Sequence, residues 1–394
     1  MPGDLYYTPY SAEIFEDPYP VYRRLRDEAP VYRDPDGCWW VLSRFDDVWE
    51  AMRDWQTYSS DKGPAPENPD HDGKKYSIVS MDPPHHEQVR GMFNRLFTPS
   101  AIDAMDDTLR KIVRNHMDGL ARGMTVDAMS AFAFVIPTDV IGELLGVPPT
   151  DRAQLREWWE VFLSRDDGSV SMPERAIAAN RKISEYIGSL IEERRRSPGS
   201  DLISRVLDAR YTDPESGETA LTTHEVLMFC NLLSAAGSET TQKLLSNALV
   251  ALDEQRDQWD LLRADPSLVP QAVDEALRYD TPSHWVARTT TRDVEVAGTT
   301  IPAGDWVLLL LGSANRDERQ YENPDDFIIQ RSRQQTVFFG WGRHVCLGQW
   351  LARREAALVL EEILQRFPNY RIGERERRLT ATVRGFTRVE MELA

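Results

Sequence analysis

The segment that follows Leu221 restricts the fold more than any other part of the chain. Thr222 and Glu225 form a capping-box pattern, in which a threonine and a glutamate three residues later mark the first turn of a helix. From Val226 the helical pattern continues for about thirty residues and is apolar on nearly every face as far as Ala236. A helix without a polar face must be enclosed by other elements. We therefore predict a helix in the middle of the molecule.

Most of the remaining chain predicts helices separated by polar turns, with a smaller β region. Residues 289–311 alternate in the manner of strands around Gly298 and Gly304, and residues 379–393 favour a hairpin. No linker rich in Ser, Gly or Pro interrupts the chain, although its 394 residues could hold two or three average domains. We predict a mainly α fold with a smaller β region, in a single domain that spans residues 1–394.

Residues 58–80 predict one long exposed connection, because they are rich in Asp, Lys, Pro and Gly. Connections of this length are uncommon in compact domains unless they serve as lids or binding loops. The sequence leaves open whether such a lid is open or closed.

The charge balance argues against one class of partner. The chain has 46 basic and 64 acidic residues, and its net charge of −18 argues against nucleic-acid binding. The first residues do not resemble a signal peptide, and no run approaches the ~20 apolar residues of a membrane span. Three widely separated cysteines, Cys38, Cys230 and Cys346, favour a reducing cytoplasm without a disulfide framework. No Cys-x-x-Cys or His-x-x-x-His pair indicates a zinc site.

Cys346 lies in a loop that is punctuated by glycines and leads into a predicted helix. The positive end of that helix and its unpaired N–H groups would lower the pKa of the thiol. Gly342 and Gly348 have no Cβ, so a large flat ligand could approach the backbone, with Phe339 as an apolar cover. A small buried thiol is the plainer interpretation of a lone cysteine. A dinucleotide-binding loop is excluded, because Val345 occupies the third glycine position.

This loop resembles the cysteine-ligand loop of the cytochrome P-450 family, whose pattern is Phe-x-x-Gly-x-(Arg/His)-x-Cys-x-Gly. Every specified position is filled, by Phe339, Gly342, His344, Cys346 and Gly348. The resemblance implies that Cys346 is the axial ligand of a haem iron.

The predicted central helix carries a second segment of this kind, Ala236 to Thr241. Thr240 stands four residues after Ala236, so its hydroxyl can bond to that carbonyl and open the helix, and Gly237 would leave room for a small ligand. An acid beside a hydroxyl suits proton delivery into a dry cavity, although both could be ordinary helix polar groups. The segment is similar to the family's oxygen-activation motif, Ala-Gly-x-(Asp/Glu)-Thr. This similarity implies that Thr240 hydrogen-bonds dioxygen and that Glu239 relays protons.

A third segment, from Met81 to Arg90, looks like the helix that binds the haem propionates in this family. His86 and Arg90 stand four residues apart and share one helical face, where such residues are most often solvated. Two porphyrin carboxylates in an acidic protein need nearby cations, and arginine matches a carboxylate best. Arg288 and His344 stand where the family places its remaining propionate partners.

Glu275 and Arg278 resemble the family's Glu-x-x-Arg signature, and Arg331 follows in a segment that matches the later arginine. An exposed pair at this spacing contributes only ~0.2–0.5 kcal/mol. The resemblance instead implies that the three residues close the structural core.

These four segments, over roughly residues 81–350, imply the cytochrome P-450 fold, with haem b between the central helix and the cysteine loop. They imply a cytoplasmic monooxygenase that activates dioxygen and inserts one oxygen atom into an apolar small molecule. A thiolate ligand favours O–O cleavage in such enzymes. The chain has no apparent flavin or ferredoxin segment, so the electrons are expected from a separate ferredoxin.

Three alternatives remain. A peroxide-driven enzyme of the same fold would more often lack the acid–hydroxyl pair of Glu239 and Thr240. A non-catalytic haem sensor would be expected to carry a signalling module. A structural protein built on the fold would not need Thr240 and Cys346 together.

The substrate pocket and the docking surface are predicted less specifically. Apolar side chains expected by position near the pocket, all of which would equally suit core packing, are Ile78, Trp158, Phe162, Leu233, Ala236, Trp285, Val286 and Phe386. Trp285 is expected to narrow the space above the haem. A terpenoid, steroid, aromatic or polyketide would suit such a pocket. Arginines that form either a docking patch or an ordinary solvated surface are Arg95, Arg343, Arg353 and Arg354.

Overall fold

The computed structural model describes residues 5–66, 77–166, 169, 171–213, 217–380 and 382–394. Helices dominate these ranges and strands form a smaller part, as predicted. The α-helices are α1 Ala12–Glu16, α2 Tyr19–Glu28, α3 Phe45–Arg53, α4 His85–Asn94, α5 Pro99–Asp103, α6 Asp106–Met117, α7 Val135–Leu145, α8 Pro149–Leu163, α9 Glu174–Arg196, α10 Leu202–Asp208, α11 Thr223–Glu254, α12 Arg256–Ala264, α13 Val269–Tyr279, α14 Leu311–Ala314 and α15 Gln349–Arg366. Shorter helical turns are Ile78–Ser80, Met129–Ala133, Pro266–Leu268 and Gly342–His344.

The helix predicted for the centre of the molecule is α11, and α7, α9, α13 and α15 pack around it. Its capping box is present: the Thr222 hydroxyl accepts from the Glu225 N–H, and the Glu225 carboxylate accepts from the Thr222 N–H at 2.7 Å. The more deeply buried half is residues 238–252, where every residue except Thr240 is buried. The apolar half before Ala236 is only partly buried. Hydrophobicity therefore predicted the central position of the helix but not which half lies deepest.

Within the described ranges, strands form two sheets and two separate hairpins. The strands are β1 Val31–Arg33, β2 Trp40–Leu42, β3 Tyr58–Ser59, β4 Thr125–Asp127, β5 Arg210–Asp213, β6 Gly217–Ala220, β7 Val286–Thr290, β8 Val294–Val296, β9 Thr299–Ile301, β10 Trp306–Leu309, β11 Arg371–Arg377 and β12 Phe386–Glu392. The larger sheet has the order β1-β2-β10-β7-β3, and only its β2–β10 pair is parallel. The alternation predicted for residues 289–311 is confirmed, with Gly298 and Gly304 at φ of 79° and 89° in the turns.

The predicted C-terminal hairpin is present but begins earlier than predicted. β11 pairs with β12 in antiparallel fashion, and β4 adds a third strand beside β12. The first strand thus ends before Leu379, where the hairpin was predicted to begin. β11 is mostly charged and exposed, so it has no apolar alternation that would reveal it as a strand.

The exposed connection predicted for residues 58–80 is wrong for the ends that the structure describes. Tyr58 and Ser59 are buried in β3, and Ile78 and Ser80 are buried in the short turn at the other end. Residues 67–76 of this prediction lie outside the described residues.

The largest apolar core joins side chains from Ile78 to Leu393, so both halves of the chain contribute to it. Two smaller cores use alternate residues of the larger sheet: Leu309 faces one of them and Leu308 faces the other. Among the helices that the structure describes, none combines the length and the apolar character needed to cross a membrane.

Candidate functional site

The cysteine loop is held in a tight backbone arrangement between Val337 and α15. The Cys346 N–H donates to the carbonyl of Phe339 at 2.8 Å, and the Gly340 N–H donates to the carbonyl of Val337 at 2.8 Å. Gly342 has a φ of 70°, and a Cβ there would lie 2.8 Å from the Met52 carbonyl oxygen. Only glycine fits this position without displacing α3. The loop therefore presents Cys346 at the start of α15, as predicted.

The pKa of the Cys346 thiol does not follow the prediction. Burial raises this pKa above its usual value, and this outweighs the lowering effects of the Gly348 N–H, Arg90 and Arg353. The helix N-terminus alone is thus too weak to make the thiol anionic. A bound metal ion deprotonates a coordinating thiol directly, so the buried position remains suited to a metal ligand.

A cavity of about 210 Å³ lies between the cysteine loop, α11 and β7. Its walls are mainly apolar, with Leu244 and Leu277 among the side chains that sequence reasoning did not single out. The predicted site residues that line it are Ala236, Thr240, Val286, Arg288, Phe339, His344 and Cys346. Residues more than a hundred positions apart in the chain thus meet at one cavity.

On α11 the cavity wall is formed by Ala236 and Thr240. The Thr240 hydroxyl donates to the Ala236 carbonyl at 2.7 Å, which is the backbone bond that the spacing predicted. The helix nevertheless continues without a break from Thr223 to Glu254. A Cβ on Gly237 would lie 2.4 Å from the Cδ1 atom of Ile141 on α7. The room at Gly237 is therefore filled by a side chain of α7, and the predicted space for a ligand there is wrong.

Glu239 is buried next to this wall but does not line the cavity. Its Oε1 atom has no hydrogen-bond partner among the described residues. Burial raises the pKa of Glu239 to about 7, and Lys243 and Arg165 act in the opposite direction. A carboxyl with this pKa can both bind and release a proton near neutral pH.

Cationic and imidazole side chains gather beside the cysteine loop. The rings of His86 and His344 lie 4.2 Å apart, and the Arg90 guanidinium donates to the Val345 carbonyl. Burial, reinforced by Arg90, lowers the pKa of His86 to about 4, so this histidine is neutral at pH 7. Burial also lowers the pKa of Arg288 to about 10, which still leaves it charged.

These side chains fit the predicted haem. Both ring nitrogens of His86 and the Nε2 atom of His344 are buried without a hydrogen-bond partner among the described residues. Buried polar atoms of this kind call for a polar ligand, and two carboxylates beside Arg90 and Arg288 would provide acceptors. Arg288, His344 and Cys346 line the cavity, whereas His86 and Arg90 line a neighbouring depression that Cys346 also borders. Thus the thiol, the apolar walls and the cationic side all agree with a porphyrin that carries two propionates.

Several residues predicted for the substrate pocket lie elsewhere. Trp285 packs against the Tyr10 ring at 6.3 Å, on the face of the sheet opposite to Val286. Trp285 directly precedes β7, and neighbouring residues of an extended chain point to opposite faces, so Val286 lines the cavity and Trp285 does not. Trp285 therefore cannot narrow the space above a haem, and that prediction is wrong.

The other predicted pocket residues are also absent from the cavity wall described above. The Phe386 ring is buried under the Arg377 guanidinium, 3.9 Å from its centre. On α8, the Trp158 ring lies 6.3 Å from Tyr186 and the Phe162 ring lies 5.4 Å from Trp159. Two residues that pack at the main core rather than at the cavity are Ile78 and Leu233. Gly348, predicted to contact the cofactor, is the N-cap residue of α15.

A second depression of about 770 Å³ borders the same cysteine loop, and Cys346 contributes to it as well. Trp341 and Trp350 lie on its rim and are 42% and 43% exposed. Trp341 stacks on Trp49 with ring centres 4.2 Å apart. Sequence reasoning missed both tryptophans, although exposed tryptophan is enriched at protein interfaces and could have drawn attention to them.

The arginines predicted for docking are mostly ion-paired. Arg343 pairs with Glu87, Arg353 pairs with Asp274 at 2.7 Å, and Arg354 pairs with Asp106. Arg95 is exposed. The positive charge around the cysteine loop is therefore smaller than the number of arginines suggests.

Glu275, Arg278 and Arg331 form one network of ion pairs, and none of the three lines the cavity. Arg278 makes a bidentate ion pair with Glu275, at 2.7 and 2.8 Å, and Arg331 contacts the same carboxylate at 3.2 Å. Arg278 also donates to the carbonyls of Asn315 and Pro324. This geometry is consistent with the predicted structural role.

Comparisons with known proteins agree with these features. The family model described as Cytochrome P450 matches residues 158–380. A relative described as "Putative cytochrome P450 123" from Mycobacterium tuberculosis is 39% identical, over 99% of this chain and 97% of its own length. The "Vitamin D(3) 25-hydroxylase" of Pseudonocardia autotrophica is 36% identical, over 98% of this chain and 96% of its own length. A Bacillus megaterium cytochrome P450 crystallised with testosterone superimposes with a TM-score of 0.87 at 30% identity, over 98% of this chain and 100% of that one.

Proposed function

The chain belongs to the cytochrome P450 family, and from this premise we propose that it inserts one oxygen atom into an apolar small molecule with electrons from a separate ferredoxin. Family membership makes it a haem monooxygenase with haem b as its cofactor. The observation that carries the proposal is that Cys346 and Thr240, from distant elements, line the same mainly apolar cavity. When bound, the haem–thiolate unit supplies the activation of dioxygen.

Each group at the cavity has a role that its position supports. Cys346 would hold the iron, and the cations Arg90 and Arg288, with the neutral imidazoles of His86 and His344, would hold the two propionates. Thr240 presents a hydroxyl that can donate a proton toward the cavity after it rotates away from the Ala236 carbonyl. Glu239, adjacent in sequence, holds a proton in reserve. In balance, the substrate, O2, two electrons and two protons give the oxygenated product and water.

The apolar walls support an apolar or amphipathic substrate. Leu244, Leu277, Val286 and Leu311 leave few polar anchors at the cavity, so binding is expected to depend mainly on buried area. Because one relative is named for vitamin D3 and one structural neighbour holds testosterone, sterol-like molecules are the first class to screen. Binding of a substrate to the holoenzyme would be followed as a shift of the Soret band.

The depression on the other side of the cysteine loop supports docking of the electron donor. Trp341 and Trp350 offer exposed aromatic surface there, and Arg53, Arg90 and Arg343 lie around it. Aromatic and arginine side chains are the usual anchors of protein interfaces. Because the separate cysteines suit a reducing compartment, we place the protein and its donor in the cytoplasm.

One spectrum tests the function. The reduced holoenzyme with carbon monoxide is expected to show the red-shifted Soret band of a thiolate-ligated haem, and Cys346→Ala is expected to lose it. Cys230→Ala is the matched control, because Cys230 is a buried cysteine of α11 outside the cavity wall. A thiolate-type band that survives in Cys346→Ala would contradict the proposal.

Turnover assays distinguish a ferredoxin-dependent enzyme from a peroxide-driven one. With ferredoxin, its reductase and NADPH, product is expected to form from a bound sterol-like substrate. A peroxide-driven enzyme would instead form product faster with hydrogen peroxide alone and would not respond to the ferredoxin.

A further inference from the structure

Lys243 is a buried lysine in the middle of the central helix. It is 3% exposed and stands one helical turn after Glu239, which is 7% exposed. Lysine is almost never fully buried unless it is paired. Residues four apart share one face of a helix, so both side chains leave α11 on the same side. The mechanism described above does not use Lys243.

The lysine side chain is held by the segment that leads into β12. Its Nζ atom donates to the Phe386 carbonyl at 2.9 Å. A Cβ on Gly385 would lie 2.7 Å from the Cβ and Cδ atoms of Lys243, so glycine makes room for the lysine stem. The ammonium group has three N–H donors, and this bond uses one of them. The lysine is therefore fixed in place with donor capacity left over.

The charged groups around the pair come from three parts of the chain. Glu239 interacts with Lys243 and with Arg165, which follows α8. Lys243 interacts in turn with Glu239, with Glu160 on α8 and with Arg378 after β11. Glu160 and Arg378 form an ion pair at 4.0 Å and are 64% and 56% exposed. The charge of Lys243 thus acts both on Glu239, which is buried beside the cavity wall, and on a charged pair that contacts solvent.

We propose that Lys243 is a positioning residue for proton delivery. Its buried ammonium group sets the charge and the proton affinity of Glu239. Protons pass through Glu239 from the Glu160–Arg378 surface toward Thr240. The inference rests on the proposed function and adds a residue to it. In each turnover Glu239 gives up two protons, one after the other, on the cavity side and regains each of them from the solvent side. Its charge is unchanged at the end, and both protons leave in the water that the reaction forms.

The electrostatics of the pair agree with this role. Burial raises the pKa of Glu239 to about 7, and the charge of Lys243 is the largest effect that opposes this rise. Burial lowers the pKa of Lys243 to about 8, and Glu239 opposes that shift. Without the ammonium group, Glu239 would keep its burial and lose its main stabilising charge, so its proton affinity would increase.

The test is an infrared titration of the holoenzyme from about pH 5 to about pH 9. The carboxylic acid C=O band that is absent in Glu239→Gln belongs to Glu239. In the native protein this band is expected to titrate near neutral pH. In Lys243→Met, which keeps the length of the side chain and removes its charge, the midpoint is expected to rise by at least about one pH unit, a ~tenfold change in proton affinity. An unchanged midpoint would overturn the inference.

Lys182→Met is the matched control, because Lys182 is an exposed lysine of α9 and its removal changes the net charge by the same amount. This variant is expected to leave the midpoint in place. The native titration is decisive even if Lys243→Met does not fold. A Glu239 band that is already largely lost at about pH 5, as expected for an ordinary carboxyl pKa of about 4.3, or that persists beyond about pH 9, would also overturn the inference.

Product formed per pair of electrons gives the second readout. In Lys243→Met the fall of this yield at alkaline pH is expected to occur at a higher pH than in the native protein, by the same amount as the shift of the infrared midpoint. The carbon monoxide spectrum is expected to stay unchanged. If the infrared midpoint moves but the pH at which the yield falls does not, Lys243 has no role in proton delivery. Loss of the thiolate-type spectrum in the native protein would instead refute the proposed function, whatever the infrared result.

Discussion

At the scale of single residues, the Thr240 hydroxyl tests the assignment of the cavity most directly. Thr240→Ala removes the only atom of this side chain that can donate a hydrogen bond, while the Ala236 carbonyl keeps its place on α11. We expect the variant to consume reducing equivalents at a similar rate but to form several-fold less product and more hydrogen peroxide, because positioned proton transfer contributes ~10²–10⁴-fold. The measurement is product and peroxide formed per NADPH.

Thr240→Ser is the control for that variant, since serine keeps the hydroxyl and loses only the methyl group. Its coupling is expected to remain close to that of the native enzyme. Equal coupling in Thr240→Ala and the native enzyme would remove the role that we assign to the hydroxyl.

Gly237 is a second residue with a sharp prediction. A Cβ at this position would lie 2.4 Å from the Ile141 Cδ1 atom and 2.9 Å from its Cγ1 atom, closer than real atoms approach. We expect Gly237→Ala to lower the free energy of unfolding by about 1–3 kcal/mol, the usual cost of overpacking a core. Urea unfolding followed by far-UV circular dichroism measures the change.

A double-mutant cycle identifies the cause. Ile141→Val removes the nearest atom, so its combination with Gly237→Ala is expected to cost less than the sum of the two single changes by more than ~0.5 kcal/mol. Gly188→Ala on α9 is the control, because a Cβ there meets no other atom within 4 Å. That change should be neutral or stabilising by up to ~1 kcal/mol, since alanine favours a helix more than glycine does. Strict additivity at residues 141 and 237 would show that the clash is not the cause.

At the scale of secondary-structure elements, the network around Glu275 links α13 to the segment before the cysteine loop. The Arg278 guanidinium makes hydrogen bonds in several directions, to Glu275 and to the carbonyls of Asn315, Pro324 and Asp326. A lysine ammonium cannot reproduce this planar geometry. We expect Arg278→Lys to lower the free energy of unfolding by about 3–5 kcal/mol, the cost of breaking a buried ion pair, or to prevent folding.

Arg263→Lys on α12 is the matched control for the network. Arg263 and Asp260 also form an i,i+3 pair, but their side chains are 39% and 64% exposed. The change there is expected to stay within ~0.5 kcal/mol. Similar losses in Arg278→Lys and Arg263→Lys, measured by thermal or urea unfolding, would contradict the structural role of the buried network.

The elements also show which patterns could be interpreted from sequence. The capping box at Thr222 and the turns at Gly298 and Gly304 are local signals, so the predicted start of α11 and the predicted strands are confirmed. Strand β11 is charged and exposed, and its register depends on β12, so no local pattern revealed it. Residues 238–252 are buried because other helices pack around this part of α11, and the polarity of residues 238–252 themselves does not reveal it.

The candidate site divides in the same way. Cys346, Thr240 and Arg288 lie in motifs with fixed spacing, and the structure brings these residues to one cavity. The pocket predictions came from position alone, and the sequence gives no strand register for Trp285 or packing partner for Gly237. The Trp285 prediction failed because a shift of one residue along an extended segment reverses the face. The Gly237 prediction failed because the Ile141 side chain of α7 fills the space beside the glycine. Lys243 was missed because a lysine in a helix is ordinarily solvated.

At the scale of the whole molecule, charge would set the conditions for docking of the proposed electron donor. The net charge of −18 repels an acidic ferredoxin at long range. Near the cysteine loop, Arg343, Arg353 and Arg354 are each paired with a carboxylate, so local attraction is short-ranged. Exposed Trp341 and Trp350 add contact surface that salt does not weaken.

This arrangement predicts an unusual salt dependence for reduction by an acidic ferredoxin. Salt at about 0.1 M shortens the Debye length to about 10 Å, which screens the long-range repulsion before it weakens contacts at the loop. The association rate, measured by stopped-flow reduction under carbon monoxide, is therefore expected to rise from low salt to a maximum and then fall.

Arg343→Gln removes a cation and leaves Glu87 without that partner, so it should lower the rate several-fold at low salt. Arg181→Gln, on the exposed face of α9, makes the same charge change away from the loop and should have little effect. A rate that falls steadily from the lowest salt, or equal losses in both variants, would place the donor elsewhere on the surface.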